Sequence, residues 1–159
     1  MPRKTLVAGF GNTLLGDDGF GVAVVSRLAA RALPPEVDVF DVGIGGMHFV
    51  LRLLEGFEQV VVVDAVRGGQ PPGTLYIFTF ETVESGIQDG ARLDPHLAEP
   101  ARALHLAQAL GLLPARVIVV GCEPQSCQPG LCLTPAVHTA VNCAVERIQR
   151  MVFNDGESG

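Results

Sequence analysis

The chain has 159 residues, the length of one ordinary domain, and 48% of them are hydrophobic while only 18% are charged. This composition predicts a globular protein with a substantial core and excludes disorder for all but the ends. Seventeen acidic side chains against eleven basic ones give a net charge of −6, and Lys4 is the only lysine. No basic stripe is therefore available to bind a nucleic-acid backbone.

Membrane insertion and secretion are also disfavoured by the sequence. The longest apolar runs have only the length of a strand, whereas a membrane-spanning helix needs about 20 apolar residues. The first residues pass directly into a short apolar run and then into glycines and acids, without the pattern of a signal peptide. We expect a cytoplasmic monomer that binds neither nucleic acid nor membranes.

Strand and helix patterns alternate along the first half of the chain, which predicts the α/β class. The run QVVVVD at 59–64 is the most hydrophobic segment, and a continuous β-branched run is typical of a central strand that is covered on both faces. The other elements predicted here are strands at 5–10 and 37–42 and helices at 20–33 and 47–54.

The second half of the chain predicts one reversed strand. The strand at 74–80 follows the central one after only nine residues, several of them glycine or proline, and a parallel return needs a dozen or more. It should therefore run antiparallel, near an edge of a mostly parallel sheet. Residues 81–97 have no clear period and predict a long functional loop. The remaining predicted elements are a helix at 100–110, a strand at 117–122, and a final helix with Thr134 as its cap and Pro135 at its first position. Residues 154–159 are predicted to form a polar tail. The chain is therefore expected to form one domain over residues 1–153.

Acidic residues gather where the predicted parallel strands end, which is where open α/β sheets bind ligands. Asp17 and Asp18 follow the first strand, Asp41 ends the second, and Asp64 ends the third. The long loop can fold back over this edge and bring His96 to it. Asp18, Asp64 and His96 thus form a candidate set of two carboxylates and one imidazole, which suits a divalent metal with open coordination positions.

Some of these residues also have a simpler structural interpretation. Asp17 or Asp18 could cap the helix that begins near Gly19, although a cap explains only one of them. Asp64 follows a buried strand, where an unpaired carboxylate is costly, so a functional role is favoured. His96 alone would be an ordinary loop histidine.

Other chemistries fit the sequence less well. Gly9, Gly11 and Asp41 resemble a dinucleotide fingerprint, but its third glycine is replaced by Leu14, and the paired acids would repel a pyrophosphate. Neither a phosphate-loop motif nor a G-x-S-x-G nucleophile elbow occurs. The spacing of Cys122, Cys127 and Cys132 lacks the C-x2-C pair of zinc ribbons, so we interpret these cysteines as reduced thiols.

Several motifs together resemble the hydrogenase maturation endopeptidases over nearly the whole chain. They are GFGNTLLGDDGFGV near the start, DVGIGGM at Asp41, VVVVDAV at Asp64, DPHLAEPARAL at His96, and VGCEPQS followed by LTPAV. The resemblance implies a three-layer α/β/α sandwich with a five-stranded, mostly parallel twisted sheet and one antiparallel strand. The corner after the second strand departs from the common D-G-G-T pattern of the family, since it reads Asp41-Val42-Gly43-Ile44 here.

The resemblance also implies an activity. The family removes a C-terminal extension from the large-subunit precursor of nickel-iron hydrogenases after nickel insertion, and its three metal ligands fall on Asp18, Asp64 and His96. The divalent metal would then be the nickel of the precursor itself. We expect Asp17 and Asp41 to act as supporting groups or as bases.

Two questions stay open at the level of the sequence. A non-catalytic nickel-sensing chaperone or checkpoint module could use the same ligands, and a third possibility, a nucleotide-binding protein, is disfavoured by the paired acids. Apolar residues in or beside loops could contact the precursor or belong to the core; these are Leu14, Leu15, Phe20 and Phe49.

Overall fold

The computed structural model describes residues 3–80 and 98–157. The predicted loop at 81–97, and His96 with it, lies outside the described residues. Within these ranges the strands are β1 (Thr5–Phe10), β2 (Val37–Gly43), β3 (Gln59–Ala65), β4 (Leu75–Thr79) and β5 (Arg116–Cys122). The helices are α1 (Phe20–Ala29), α2 (Gly46–Arg52), α3 (Ala98–Ala109) and α4 (Pro135–Glu157), with 3-10 turns at Gly16–Gly19 and Leu53–Glu55.

The five strands form one sheet in the order β2-β1-β3-β5-β4. β3 is its central strand and is buried along its whole length, as its β-branched run predicts. β4 pairs antiparallel with β5 at the edge, whereas the other three pairs are parallel. The predicted mixed sheet with one reversed edge strand is therefore confirmed.

Successive residues of the central strands enter two different cores, because side chains alternate across a sheet. Val60 and Val62 of β3 pack in a cluster with residues of α2 and α3, whereas Val61 and Val63 pack with residues of α1 and α4. The sheet is thus covered by helices on both faces, which confirms the three-layer α/β/α sandwich.

The start of α1 lies unusually close to the sheet, because Gly21 has no side chain. A Cβ atom at Gly21 would stand 2.2 Å from the carbonyl oxygen of Val63 and 2.4 Å from that of Phe10. At Gly9, a Cβ atom would stand 2.4 Å from the carbonyl oxygen of Gly21. This close approach fixes α1, and the acidic turn that precedes it, at the carboxyl ends of β1 and β3.

Two helix ends differ from the sequence prediction. α1 ends at Ala29 instead of residue 33, and its last turn tightens as the amides of Ala30 and Arg31 bond to carbonyls three residues earlier. α4 continues through Glu157, well into the segment predicted as a tail. Helix ends are the least certain part of a prediction based on periodicity, because side-chain pattern carries little information once the buried face has ended.

Candidate active site

Asp17 is a buried carboxylate that joins two loops of the acidic edge. Its Oδ2 atom accepts hydrogen bonds from the amides of Gln125 and Ser126, at 2.8 and 3.0 Å, and from the Thr134 hydroxyl at 2.7 Å. Its Oδ1 atom accepts one from the amide of Thr134 at 2.7 Å. Asp17 therefore ties the turn before α1 to both ends of the loop between β5 and α4.

These contacts set the ionisation of Asp17. Burial by itself would raise its pKa, but the hydrogen bonds from Thr134, Ser126 and Gln125 outweigh that effect and hold the pKa below its ordinary value. A carboxylate with a lowered pKa and four donors on its oxygens is a weak proton acceptor. The contacts of Asp17 favour a supporting role over one as a base.

Asp18 and Asp64 both lie against the Gly11–Asn12 segment, at the carboxyl ends of β1 and β3. The amide of Asn12 donates to Asp18 Oδ2 at 2.8 Å, and both carboxylates are buried. Asp64 Oδ1 accepts from the amide of Ala65 at 2.8 Å, and it would be 3.5 Å from a Cβ atom at Gly11. The structure thus brings together two of the three predicted ligands.

Gly11 makes room for this arrangement. Its φ of 132° lies in a region that side chains disfavour, and a Cβ atom would stand 2.0 Å from the carbonyl oxygen of Asp18. The amide of Gly11 also donates to the carbonyl of Gly43 at 2.9 Å, which joins the loops that follow β1 and β2. A glycine at this point is required both by backbone conformation and by space.

Asp41 lies beside this joint. It pairs with Gly9 in the sheet register and is exposed, two residues before the left-handed Gly43. It thus stands at the same edge as Asp18 and Asp64, with its side chain accessible to solvent. Its predicted role as a supporting group or base stays a prediction.

The third predicted ligand, His96, lies outside the described residues. Within 3–80 and 98–157, no group of three or more histidine, cysteine or acidic side chains is placed to hold a metal ion. The described residues therefore offer a pair of carboxylates, and a third ligand would have to come from elsewhere. His48, His105 and His138 are all exposed.

The proposed helix cap does not explain either acid. Gly19 is the N-cap residue of α1, and no side chain caps that end of the helix. Asp17 and Asp18 instead lie in the 3-10 turn before it, where both are buried. The capping interpretation was wrong because the chain makes an extra tight turn before α1 begins.

Glu123, which the sequence did not single out, is a buried carboxylate that directly follows β5. Its Oε1 atom accepts from the amides of Gly68 and Gln70, at 2.8 and 3.1 Å, and from the Tyr76 hydroxyl at 2.6 Å. It therefore fixes the loop between β3 and β4. The signal that could have identified it is the one that singled out Asp64, an acid immediately after a buried strand.

Tyr76 should report directly on this contact. Burial, and then the hydrogen bond and charge of Glu123, raise its pKa to about 12. Because it is the only tyrosine in the chain and there is no tryptophan, the ultraviolet absorbance of its phenolate can be titrated without interference. A raised pKa adds stability below the ordinary tyrosine value of about 10, and this stability is lost as the pH rises toward 12. We expect Tyr76 to stay protonated at pH values where free tyrosine ionises.

Glu123→Gln should lower the pKa of Tyr76 and leave it somewhat raised, because burial persists. Glu146→Gln, on the exposed surface of α4, is the matched control and should leave the titration unchanged. An unaltered Tyr76 titration in the Glu123 variant would contradict the assignment.

The four cysteines are free thiols, and two lie in charged surroundings. Burial, and then the charges of Asp17 and Glu123, raise the pKa of Cys122 to about 12. Burial also raises the pKa of Cys127, against an opposing effect of Arg67 and with further raising by Asp18 and Asp17. Both thiols are therefore protonated near neutral pH, which makes them poor nucleophiles.

The fold and the acids define an α/β domain with an acidic site at the carboxyl ends of its parallel strands. The model of the hydrogenase maturation protease family HycI matches residues 22–151. A hydrogenase expression/formation protein, HupD, of Rhodobacter capsulatus is 34% identical over 151 residues, which cover 94% of this chain and 71% of the relative. The hydrogenase 2 maturation protease of Escherichia coli K12 is 31% identical over 155 residues, or 96% of this chain and 93% of the relative.

A solved structure agrees with these relatives. The hydrogenase maturating endopeptidase HybD from E. coli superimposes with a TM-score of 0.83 at 30% identity, over 96% of this chain and 94% of that one. The chain belongs to the hydrogenase maturation protease family, and it is a peptidase. Among the described residues, no helix has the length and apolar character needed to cross a membrane.

Proposed function

We propose that this peptidase removes the C-terminal extension from the large-subunit precursor of a nickel-iron hydrogenase after nickel has been inserted. In this proposal it works in the cytoplasm as a monomer. The observation that carries the proposal is the pair of buried carboxylates, Asp18 and Asp64, beside Gly11 in a chain of this family. The activity of the family supports the nature of the substrate.

The chemistry of the acids suits a metal centre that arrives with the substrate. Two carboxylates supply hard oxygen donors, and His96 would add an imidazole, a combination that divalent first-row metals accept. The nickel of the loaded precursor would thus be bound as part of the substrate, by Asp18, Asp64 and His96. Nickel loading would then control whether the precursor is held in a position to be cleaved.

The same residues permit hydrolysis. A divalent ion beside the scissile bond polarises the carbonyl, and a neighbouring carboxylate can orient a water molecule and accept its proton. Asp41 is exposed at the same edge and can serve as that proton acceptor, whereas Asp17 is occupied by its four donors. In this proposal Asp17 acts by holding the turn that carries Asp18.

The test is to mix the purified protein with the precursor, with and without nickel loading, and to follow the mass of the precursor. We expect a C-terminal peptide to be lost only from the nickel-loaded form. Cleavage at the same rate without nickel would contradict the role of nickel. Nickel-dependent binding with no cleavage would favour a checkpoint module.

A further inference from the structure

Two leucines in the loops beside the acidic site have exposed side chains. The side chain of Leu14 is 61% exposed and that of Leu131 is 81% exposed, the highest value for a large hydrophobic residue in the part of the chain that the structure describes. Of the other apolar residues that the sequence left between core and surface, Phe20 and Phe49 are fully buried, and Leu15 is half-buried. Exposing two leucines in adjoining loop segments keeps apolar surface in water, which is unfavourable for the free protein.

Main-chain hydrogen bonds join the two loop segments that carry these leucines. The amide of Gly130 donates to the carbonyl of Leu14 at 2.8 Å, and the amide of Gly16 donates to the carbonyl of Gly130 at 2.9 Å. Leu15 and Gly130 accordingly form a β-bridge between the loops that follow β1 and β5. The backbone beside Leu14 and Leu131 is thus fixed by hydrogen bonds between the two loops.

The same backbone connects the leucines to the acids. The side-chain oxygen of Asn12 accepts from the amide of Leu14 at 2.9 Å, and the amide of Asn12 donates to Asp18 at 2.8 Å. Asp17 anchors the other loop through Ser126 and Thr134, on either side of Leu131. Asp18 and the two leucines therefore belong to the same hydrogen-bonded pair of loops, so a ligand bound at Asp18 lies beside the surface that carries the leucines.

We infer that Leu14 and Leu131 form a docking surface for the hydrogenase large-subunit precursor, an inference that rests on the proposed function. The precursor fits this surface in charge and in position. Asp18 and Asp64 present negative charge, which matches a cationic metal centre, and the leucines beside them match apolar chain around that centre. A second copy of this protein, with a net charge of −6, would instead bring acids against acids.

The test compares two double variants. Leu14→Ser with Leu131→Ser removes the docking surface, and Leu54→Ser with Leu110→Ser is the matched control at leucines that are 63% and 58% exposed. The control leucines lie away from the site, at the opposite end of the sheet. Leu54 lines a cavity there, and Gly111, the residue after Leu110, lines the same cavity. Binding of nickel-loaded precursor and steady-state cleavage are measured for each variant, with thermal unfolding as a check on folding.

We expect the Leu14/Leu131 variant to bind the precursor about 10- to 100-fold more weakly, with a raised KM and an almost unchanged kcat, because the apolar area that the two leucines bury against the precursor is lost. The control variant should behave as wild type. If the wild-type protein cleaves the precursor and the Leu14/Leu131 variant binds it as tightly as the wild type, the docking surface alone is overturned. If the wild-type protein does not bind the precursor at all, the proposed function is overturned as well. Conversion of a wild-type dimer into a monomer by the Leu14/Leu131 substitutions, measured by sedimentation, would make a second copy the occupant and overturn the inference.

Discussion

Asp17→Ala is expected to destabilise the protein by about 4 kcal/mol, because it leaves four partly buried donors without their acceptor, each at a cost of about 1 kcal/mol. The donors are the amides of Gln125, Ser126 and Thr134 and the Thr134 hydroxyl. Asp17→Asn should lower the stability less, by about 2 kcal/mol. Its amide oxygen can still accept hydrogen bonds, but its NH₂ group cannot accept and would face a donor that loses its partner. Urea unfolding of the variants measures both losses.

The pH dependence gives a second, independent measurement of the same contacts. The pKa of Asp17 is lowered in the folded state, so its ionisation stabilises the protein above its ordinary value of 3.8, and this stability is lost as the pH falls below it. The difference in unfolding free energy between wild type and Asp17→Asn should therefore be largest near neutral pH and shrink in acid.

Asp41→Asn is the control for stability, because Asp41 is exposed and substitutions at such positions usually change stability by less than about 0.5 kcal/mol. Equal stabilities of the Asp17 and Asp41 variants at neutral pH would show that Asp17 does not hold the two loops together.

Much of the fold follows from residue patterns that act locally. The β-branched run of β3 and the short connection before β4 specify a buried central strand and a reversed edge strand, since neither depends on distant residues. The position of Asp64 at the end of β3 follows in the same way. These are the features for which sequence and structure agree.

The roles of Asp17 and Glu123 depend on distant partners. Asp17 bonds to residues more than 100 positions away, and Glu123 bonds to the loop between β3 and β4. No local pattern distinguishes such a carboxylate from the neighbouring Asp18, which has the same side chain and a different environment. Only the three-dimensional arrangement separates the acid that holds loops together from the acids that face Gly11 and Asn12.

Asp64→Asn is expected to lower kcat/KM for the nickel-loaded precursor by about 100-fold or more, the usual scale for losing a catalytic or metal-binding carboxylate. The substitution preserves shape, and its amide oxygen can still accept from Ala65, so the fold should persist while the negative charge is lost. Asp18→Asn and His96→Ala should have similar effects, because the proposed function assigns the same centre to all three. The measurement is the rate of peptide release from nickel-loaded precursor, followed by mass.

Asp38→Asn supplies the matched control for the loss of charge. Asp38 lies near the start of β2, away from the acidic edge, and its partly exposed ion pair with Arg52 at 3.3 Å contributes about 1 kcal/mol or less to stability. Its variant should process the precursor within about twofold of the wild-type rate, as expected for a surface change outside the site. Wild-type processing by both Asp64→Asn and His96→Ala would remove the assignment of the metal-binding residues, and it would leave the fold and the family unaffected. If Asp64→Asn instead reduces processing and thermal stability together, Asp64 has a structural role like that of Asp17. Substitution of a metal ligand should lower the activity while the protein stays folded.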